Sequence, residues 1–231
     1  VNSAKDDAAG LAIADRMNAQ IRGMNVAVRN ANDGISLAQT AEGALATMTD
    51  ALQRMRELAV QALNGSNGTG DRANLDTEFQ ELALEVGRIA SQTKFNGSAI
   101  VGPSAGAQVF QVGANSGDTL TVTTVQVTTI GGGISTNALA NTALTDIDAK
   151  LDQISTSRAS YGAAMSRFSM AIQNLQIASE NQSAARGRIM DADFAAETSN
   201  MSRAQILQQA GTAMVAQANQ LPQQVLQLLR N

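Results

Sequence analysis

The chain has 231 residues, 16 basic against 20 acidic side chains for a formal net charge of −4, 3% aromatic residues, and no histidine, cysteine or tryptophan. That composition removes the commonest metal ligands, the commonest general base and any thiol nucleophile, excludes disulfides, and offers no basic stripe for counterion release from nucleic acid. No apolar run approaches the roughly 18 residues of a membrane span, and no basic segment leads into an apolar one as in a cleavable signal.

From about Lys5 to Leu63 no proline intervenes and Ala, Gln, Arg, Met and Leu dominate, which predicts one helix roughly 90 Å long at 1.5 Å per residue. Its apolar ladder, Met17, Ile21, Met24, Val28, Ile35, Leu45, Met48, Leu52 and Met55, climbs mostly in threes and fours. Two successive steps of three across Ile35, Ala38 and Ala41 shift the phase of the seam. Arg54, Leu58 and Gln61 fall beside that seam, so Leu58 is expected to be more exposed than a core leucine. Asn64 to Gly70 supplies a tight reversal, and Leu75, Phe79, Leu82, Val86 and Ile89 mark a second helix over about 72–93.

Between about 95 and 141 the period changes to that of a small β-hairpin region. Val109 and Val112 lie in a short apolar segment, and Leu120 to Val122 and Val125 to Val127 alternate with polar residues, slipping by one at Thr123-Thr124, where a bulge is expected. A long helix returns over 142–185 with the ladder Leu144, Ile147, Leu151, Ile154, Tyr161, Met165, Phe168, Ile172 and Leu175, broken at Arg158. Only the segment from Met17 to Met55 is long enough to cover it. The expected fold is therefore mainly α: an elongated antiparallel helical bundle, coiled-coil-like, with a rod seam that includes Met17, Ile21, Met24, Leu52, Met55, Leu151, Ile154, Met165, Phe168 and Ile172. After a hinge around Gly187 to Asp193 a last helix carries Leu207, Gly211, Met214, Ala218, Leu221, Val225 and Leu228. That stripe finds no partner in the sequence, which leads us to expect that residues preceding Val1 are missing.

Other motifs favour plain readings. The glycine-rich stretches 65–70 and 131–136 lack the lysine and the strand-loop-helix order of a phosphate loop and read as turns. Asp191-Ala192-Asp193 lacks further oxygen ligands at calcium-loop spacing, so no metal or other cofactor is expected. The absence of histidine removes a His-Glu-x-x-His site, and no serine with a base partner is identifiable. Catalysis is not expected.

Two terminal motifs carry a family resemblance: Asn2-Ser3-Ala4-Lys5-Asp6-Asp7-Ala8-Ala9-Gly10-Leu11-Ala12-Ile13, and Ala218-Asn219-Gln220-Leu221-Pro222-Gln223-Gln224-Val225-Leu226. With Gln53-Arg54-Met55-Arg56-Glu57-Leu58-Ala59-Val60-Gln61 and Phe95-Asn96-Gly97 they closely resemble bacterial flagellin, in order and over nearly the whole chain. The resemblance implies a D1-like rod over 1–186 and, over 187–231, the C-terminal half of a D0-like terminal domain. It also implies a further N-terminal stretch that would pair with Leu207, Met214, Leu221, Val225 and Leu228, and a compact middle in place of large outer domains. The function so implied is a secreted structural subunit of an extracellular flagellar filament that drives swimming. The partners implied are further copies of the chain, the flagellar cap and hook-junction proteins, and an export chaperone that takes the C-terminal helix. The resemblance further assigns Gln53, Arg54, Leu58, Gln61 and Glu78 to recognition by the vertebrate Toll-like receptor that senses flagellin. The alternative weighed is a cell-surface homologue for adhesion or polysaccharide binding, against which one tyrosine and five phenylalanines leave little for sugar stacking.

Overall fold

The computed structural model describes residues 1–128 and 130–228, the side chains of 220–228 excepted. The element order is α1 (Ala8–Ala62), α2 (Thr69–Gln92), β1 (Lys94–Phe95), β2 (Ser98–Ala99), β3 (Gln108–Gln111), β4 (Thr119–Val122), α3 (Asn137–Met190) and α4 (Phe194–Leu228). The chain divides into two compact units, residues 18–182 and residues 1–17 with 183–231, a division that differs from the 1–186 grouping expected from sequence.

Local chemistry sets the helix ends. Asp7 caps α1, its Oδ1 accepting from the amides of Ala9 at 3.0 Å and Gly10 at 2.9 Å, where the first turn has no intrahelical partners. At the other end Arg72 Nε donates to the carbonyl of Ala62 at 2.9 Å and Asn67 Nδ2 to that of Gln61 at 2.7 Å, so the reversal into α2 satisfies carbonyls that the helix leaves free. α3 starts five residues before the expected Thr142. Thr136 Oγ1 accepts from the Leu139 amide at 3.3 Å, making helix of a stretch whose small polar residues read as loop.

Within residues 18–182, α1 and α3 run antiparallel. The partners fall in number along α3 as they rise along α1: Gln20 with Gln182, Asn25 with Ser179, Glu42 with Arg158, and Arg56 with Asp148. Arg158, which interrupts the apolar ladder, spans the helices with Nη2 3.5 Å from Glu42. Of the seam residues, Met24, Leu52, Met55, Ile154 and Phe168 are buried, and Ile21, Leu151, Met165 and Ile172 are half-buried. Met17, also half-buried, belongs to the other unit.

The second half of α1 is covered by α2 as well as by α3. Leu45, Met48, Leu52, Met55, Leu58, Ala59 and Ala62 share one core with Phe79, Ala83 and Val86 of α2 and with Ala143, Ile147 and Ile154 of α3. This corrects the expectation for Leu58, which is 1% exposed. A helix packed on two neighbours buries a wider arc than a two-helix seam, and residue 58 falls in the added sector.

Over the first half of α1 the second neighbour is the β region. The antiparallel pair β3 and β4 places Phe110 opposite Leu120 and Gln111 opposite Thr119. Asn30 Nδ2 of α1 donates to the Gln111 carbonyl at 3.0 Å. Phe110 meets Phe168 edge to face, with ring centroids 5.5 Å apart. Residues 125–127 do not form the expected strand, and no bulge is present: β4 ends at Val122, and Val125 makes a lone parallel bridge to Val101. Thr124 and Val125 are both buried, so alternation breaks as the chain leaves the sheet. A further short hairpin, β1 and β2, turns on Asn96 (φ 48°) and Gly97 (φ 81°), the left-handed pair of a type I′ turn.

Candidate functional site

Among the described residues no group of three His, Cys, Asp or Glu could hold a metal ion. Of the aspartates singled out near the hinge, Asp193 caps α4, its Oδ1 accepting from the amides of Ala195 at 3.0 Å and Ala196 at 3.2 Å. The glycine-rich loop at 131–133 lies on α2, where Gln80 Nε2 donates to the Gly132 carbonyl at 2.8 Å and the Ile134 amide to Asp76 Oδ1 at 2.5 Å. A bound phosphate would have to displace Asp76. The depressions on the described surface are solvent-open grooves, including one of about 560 Å³ lined by Gln53, Arg56, Glu57, Val60 and Gln61. Two surfaces stand out as candidates.

The first surface is the outward side of α1 and α2. Gln53, Arg54, Gln61 and Glu78 are exposed. Arg54 forks between the helices: Nε donates to Glu78 Oε1 at 2.9 Å, Nη1 to Glu57 Oε2 at 3.0 Å, and Nη2 lies 2.8 Å from Glu78 Oε1. The bond to Glu78 above all, then that to Glu57, raises the guanidinium pKa. Arg54 thus links α1 to α2 at the surface, with Val60 half-exposed nearby. Leu58 lies beneath this surface and offers no contact area.

The second surface is α4. Ala204, Leu207, Gly211, Met214 and Ala218 recur at steps of three and four and form one stripe, and every one is exposed. Leu207 and Met214 are 64% and 68% exposed, values far from those of a core. Gly211 has open space where a side chain would stand: apart from its chain neighbours and the backbone of its own helix, no atom lies within 4 Å. A glycine inside a helix costs about 1 kcal/mol relative to alanine, and nothing in the packing of the described residues requires one there. The remaining stripe residues expected from the sequence, Leu221, Val225 and Leu228, lie outside the described side chains.

Sequence reasoning missed Gly34. A side chain on it would begin 2.6 Å from Phe168 Cζ, so its absence seats the ring against α1. The available signal was a glycine just before the phase shift at Ile35 in an alanine-rich helix. It also missed the partner of Tyr161, whose buried hydroxyl donates to the Ile100 carbonyl at 3.3 Å.

Comparison with known proteins places the chain in a family. Residues 1–102 match the bacterial flagellin N-terminal helical region, and residues 144–229 match the bacterial flagellin C-terminal helical region. A flagellin of Halalkalibacterium halodurans is 47% identical over 237 residues, covering 100% of this chain and 87% of the relative. The flagellar filament 31.3 kDa core protein of Treponema maltophilum is 41% identical, with 100% and 88% covered. The crystal structure of Bacillus cereus flagellin superposes with a TM-score of 0.57 at 31% identity, covering 64% of this chain and 88% of that one. With both terminal regions matched and identity sustained along the whole chain, this protein belongs to the bacterial flagellin family.

Proposed function

We propose that the chain is a structural subunit of an extracellular bacterial flagellar filament, assembled from many copies of itself, and that its work is mechanical. The observation that carries this is the α4 stripe, an apolar helix face with a side-chain-free notch at Gly211 and no cover within the single chain among the described residues. Isolated amphipathic helices are marginal in water, so such a face gains its stability from a neighbouring molecule. Side-by-side contacts that do not close on themselves give an open helical polymer. The Treponema relative is a flagellar filament core protein, which supports the same reading. Contacts with cap, hook-junction and export-chaperone proteins follow as parts of it, as does a division into a D1-like body and a D0-like terminal segment. The test is replacement of a motile bacterium's own flagellin gene by the full gene for this protein. Filaments seen by electron microscopy and restored swimming are expected; secreted but unassembled protein would overturn the proposal.

Recognition by the vertebrate receptor for flagellin is the second part of the reading. It is favoured by the exposed fork of Arg54 against Glu57 and Glu78, since a forked guanidinium flanked by carboxylates suits a binding hot spot with a polar rim. The contact set is revised to Gln53, Arg54, Gln61 and Glu78, with Leu58 supporting them from the core. A cell-based receptor assay should show Arg54→Ala weakened relative to wild type at equal thermal stability, and equal activity would refute it.

A further inference from the structure

We propose that Met170, Met201 and Met214 are sites of sulfoxidation, and that oxidation of Met214 specifically prevents assembly; this second half rests on the filament reading above. The chain has nine methionines and no cysteine, so thioethers are its softest, most oxidisable groups. Six of them fall at the two extremes of exposure, and Met17, Met165 and Met190 are half-buried. Met24, Met48 and Met55 are 5%, 0% and 0% exposed, sealed in the cores between α1 and its neighbours. Met170, Met201 and Met214 are 68%, 52% and 68% exposed.

The oxidant is a hydroperoxide, hydrogen peroxide being the simplest. With hydrogen peroxide the sulfur lone pair attacks one peroxide oxygen, the O–O bond breaks as the S–O bond forms, sulfur loses two electrons, and the other oxygen leaves as water after taking up the proton of the transferred one. The product replaces an apolar, flexible group by a polar sulfoxide. Position decides the consequence. Met214 lies seven residues after Leu207, on the same stripe and one turn from the notch at Gly211. Met201 falls on the flank of that stripe, and Met170 lies on α3, on the side facing away from the buried Phe168 and Leu175. A sulfoxide oxygen carried into a helix contact without a donor opposes burial, whereas one left in water costs little.

The experiment uses filaments sheared from cells and the monomer released from them. Monomer treated with hydrogen peroxide is mapped by peptide mass spectrometry, with oxidation at residues 170, 201 and 214 expected about tenfold or more faster than at 24, 48 and 55 because susceptibility follows exposure. Comparable rates at the core positions would overturn the site assignment. Reassembly is then measured: oxidised wild type, Met170→Leu and Met201→Leu should each need about tenfold more protein to form filaments, one such step being 1.4 kcal/mol. Peroxide should make no difference to Met214→Leu: its oxidised and untreated forms should need the same protein concentration to form filaments, whatever that concentration is. Equal loss of assembly in oxidised Met214→Leu would refute the switch. Failure of untreated wild type to reassemble would count against the filament reading instead, and the oxidation map would still decide the sites.

Discussion

Replacing Phe168 by alanine should cost about 3 kcal/mol or more, and the same substitution should reverse the sign of a second one at Gly34. Phe168 is fully buried, and Phe→Ala changes in cores cost about 3–5 kcal/mol through lost transfer energy and the cavity left behind. In the wild-type protein Gly34→Ala would gain about 1 kcal/mol of helix propensity. Its new Cβ would however stand 2.6, 2.8 and 3.0 Å from three atoms of the Phe168 ring, and the ring cannot retreat freely because its edge-to-face contact with Phe110 fixes it. Overpacking of this kind costs about 1–3 kcal/mol, so the single change should be destabilising by about 1 kcal/mol. With Phe168 already alanine, the obstruction is gone and Gly34→Ala should stabilise by about 1 kcal/mol. The four-protein cycle therefore predicts a coupling of about 2 kcal/mol, well beyond the additivity expected of independent sites. Urea denaturation followed by far-ultraviolet circular dichroism measures it. Additive effects, or a Gly34→Ala cost that persists without the ring, would show that α1 and α3 do not meet at these residues.

Other perturbations separate core from surface. Burial raises the Tyr161 hydroxyl above its ordinary value of 10.0, so its contribution to stability is present below that value and lost as pH rises through the raised folded value. Tyr161 is the only tyrosine in a chain without tryptophan, so ultraviolet difference absorbance reads its titration directly. Tyr161→Phe should remove that alkaline loss and, by leaving the Ile100 carbonyl unmet, cost about 1–2 kcal/mol at neutral pH. Leu58→Ala should lower the melting temperature, at a cost of about 2–5 kcal/mol for a buried leucine, whereas Arg54→Ala should leave thermal melting nearly unchanged. Gly211→Val should leave the melting of residues 18–182 unaltered yet impair filament growth by filling the notch on α4, which electron microscopy of cells carrying the variant would show.

The long helices can be read from the sequence because apolar steps of three and four leave few alternatives, and the pairing of α1 with α3 follows from their matched lengths. The misreadings of the core share an origin, which is that periodicity in one segment cannot say which neighbours that segment has or how many. Leu58 reads as a flank residue against one helix and as core against two. Thr124 and Val125 break alternation because the chain there bridges to Val101 and ceases to pair with β3. The stretch 137–141 reads as loop from its small residues, yet a threonine cap suffices to start α3 there. For the surfaces, the α4 stripe is evident from sequence because its apolar steps stand alone on a helix with no matching ladder. The Arg54 fork needs the approach of α1 and α2, which no local pattern encodes.

If copies of this chain assemble through the α4 stripe, a single charge placed on that stripe should abolish the polymer and leave the monomer intact. Cells lacking their own flagellin would be given the full gene with Leu207→Asp, secreted protein would be quantified, and filaments would be counted and measured by electron microscopy beside wild type. Leu207 is exposed, so the charge is tolerated in the single chain, but within an apolar helix contact it would be unpaired and opposed. Normal secretion, unchanged melting of residues 18–182, and filaments absent or severely shortened are expected. Filaments of wild-type length and number from the Leu207→Asp protein would contradict assembly through α4.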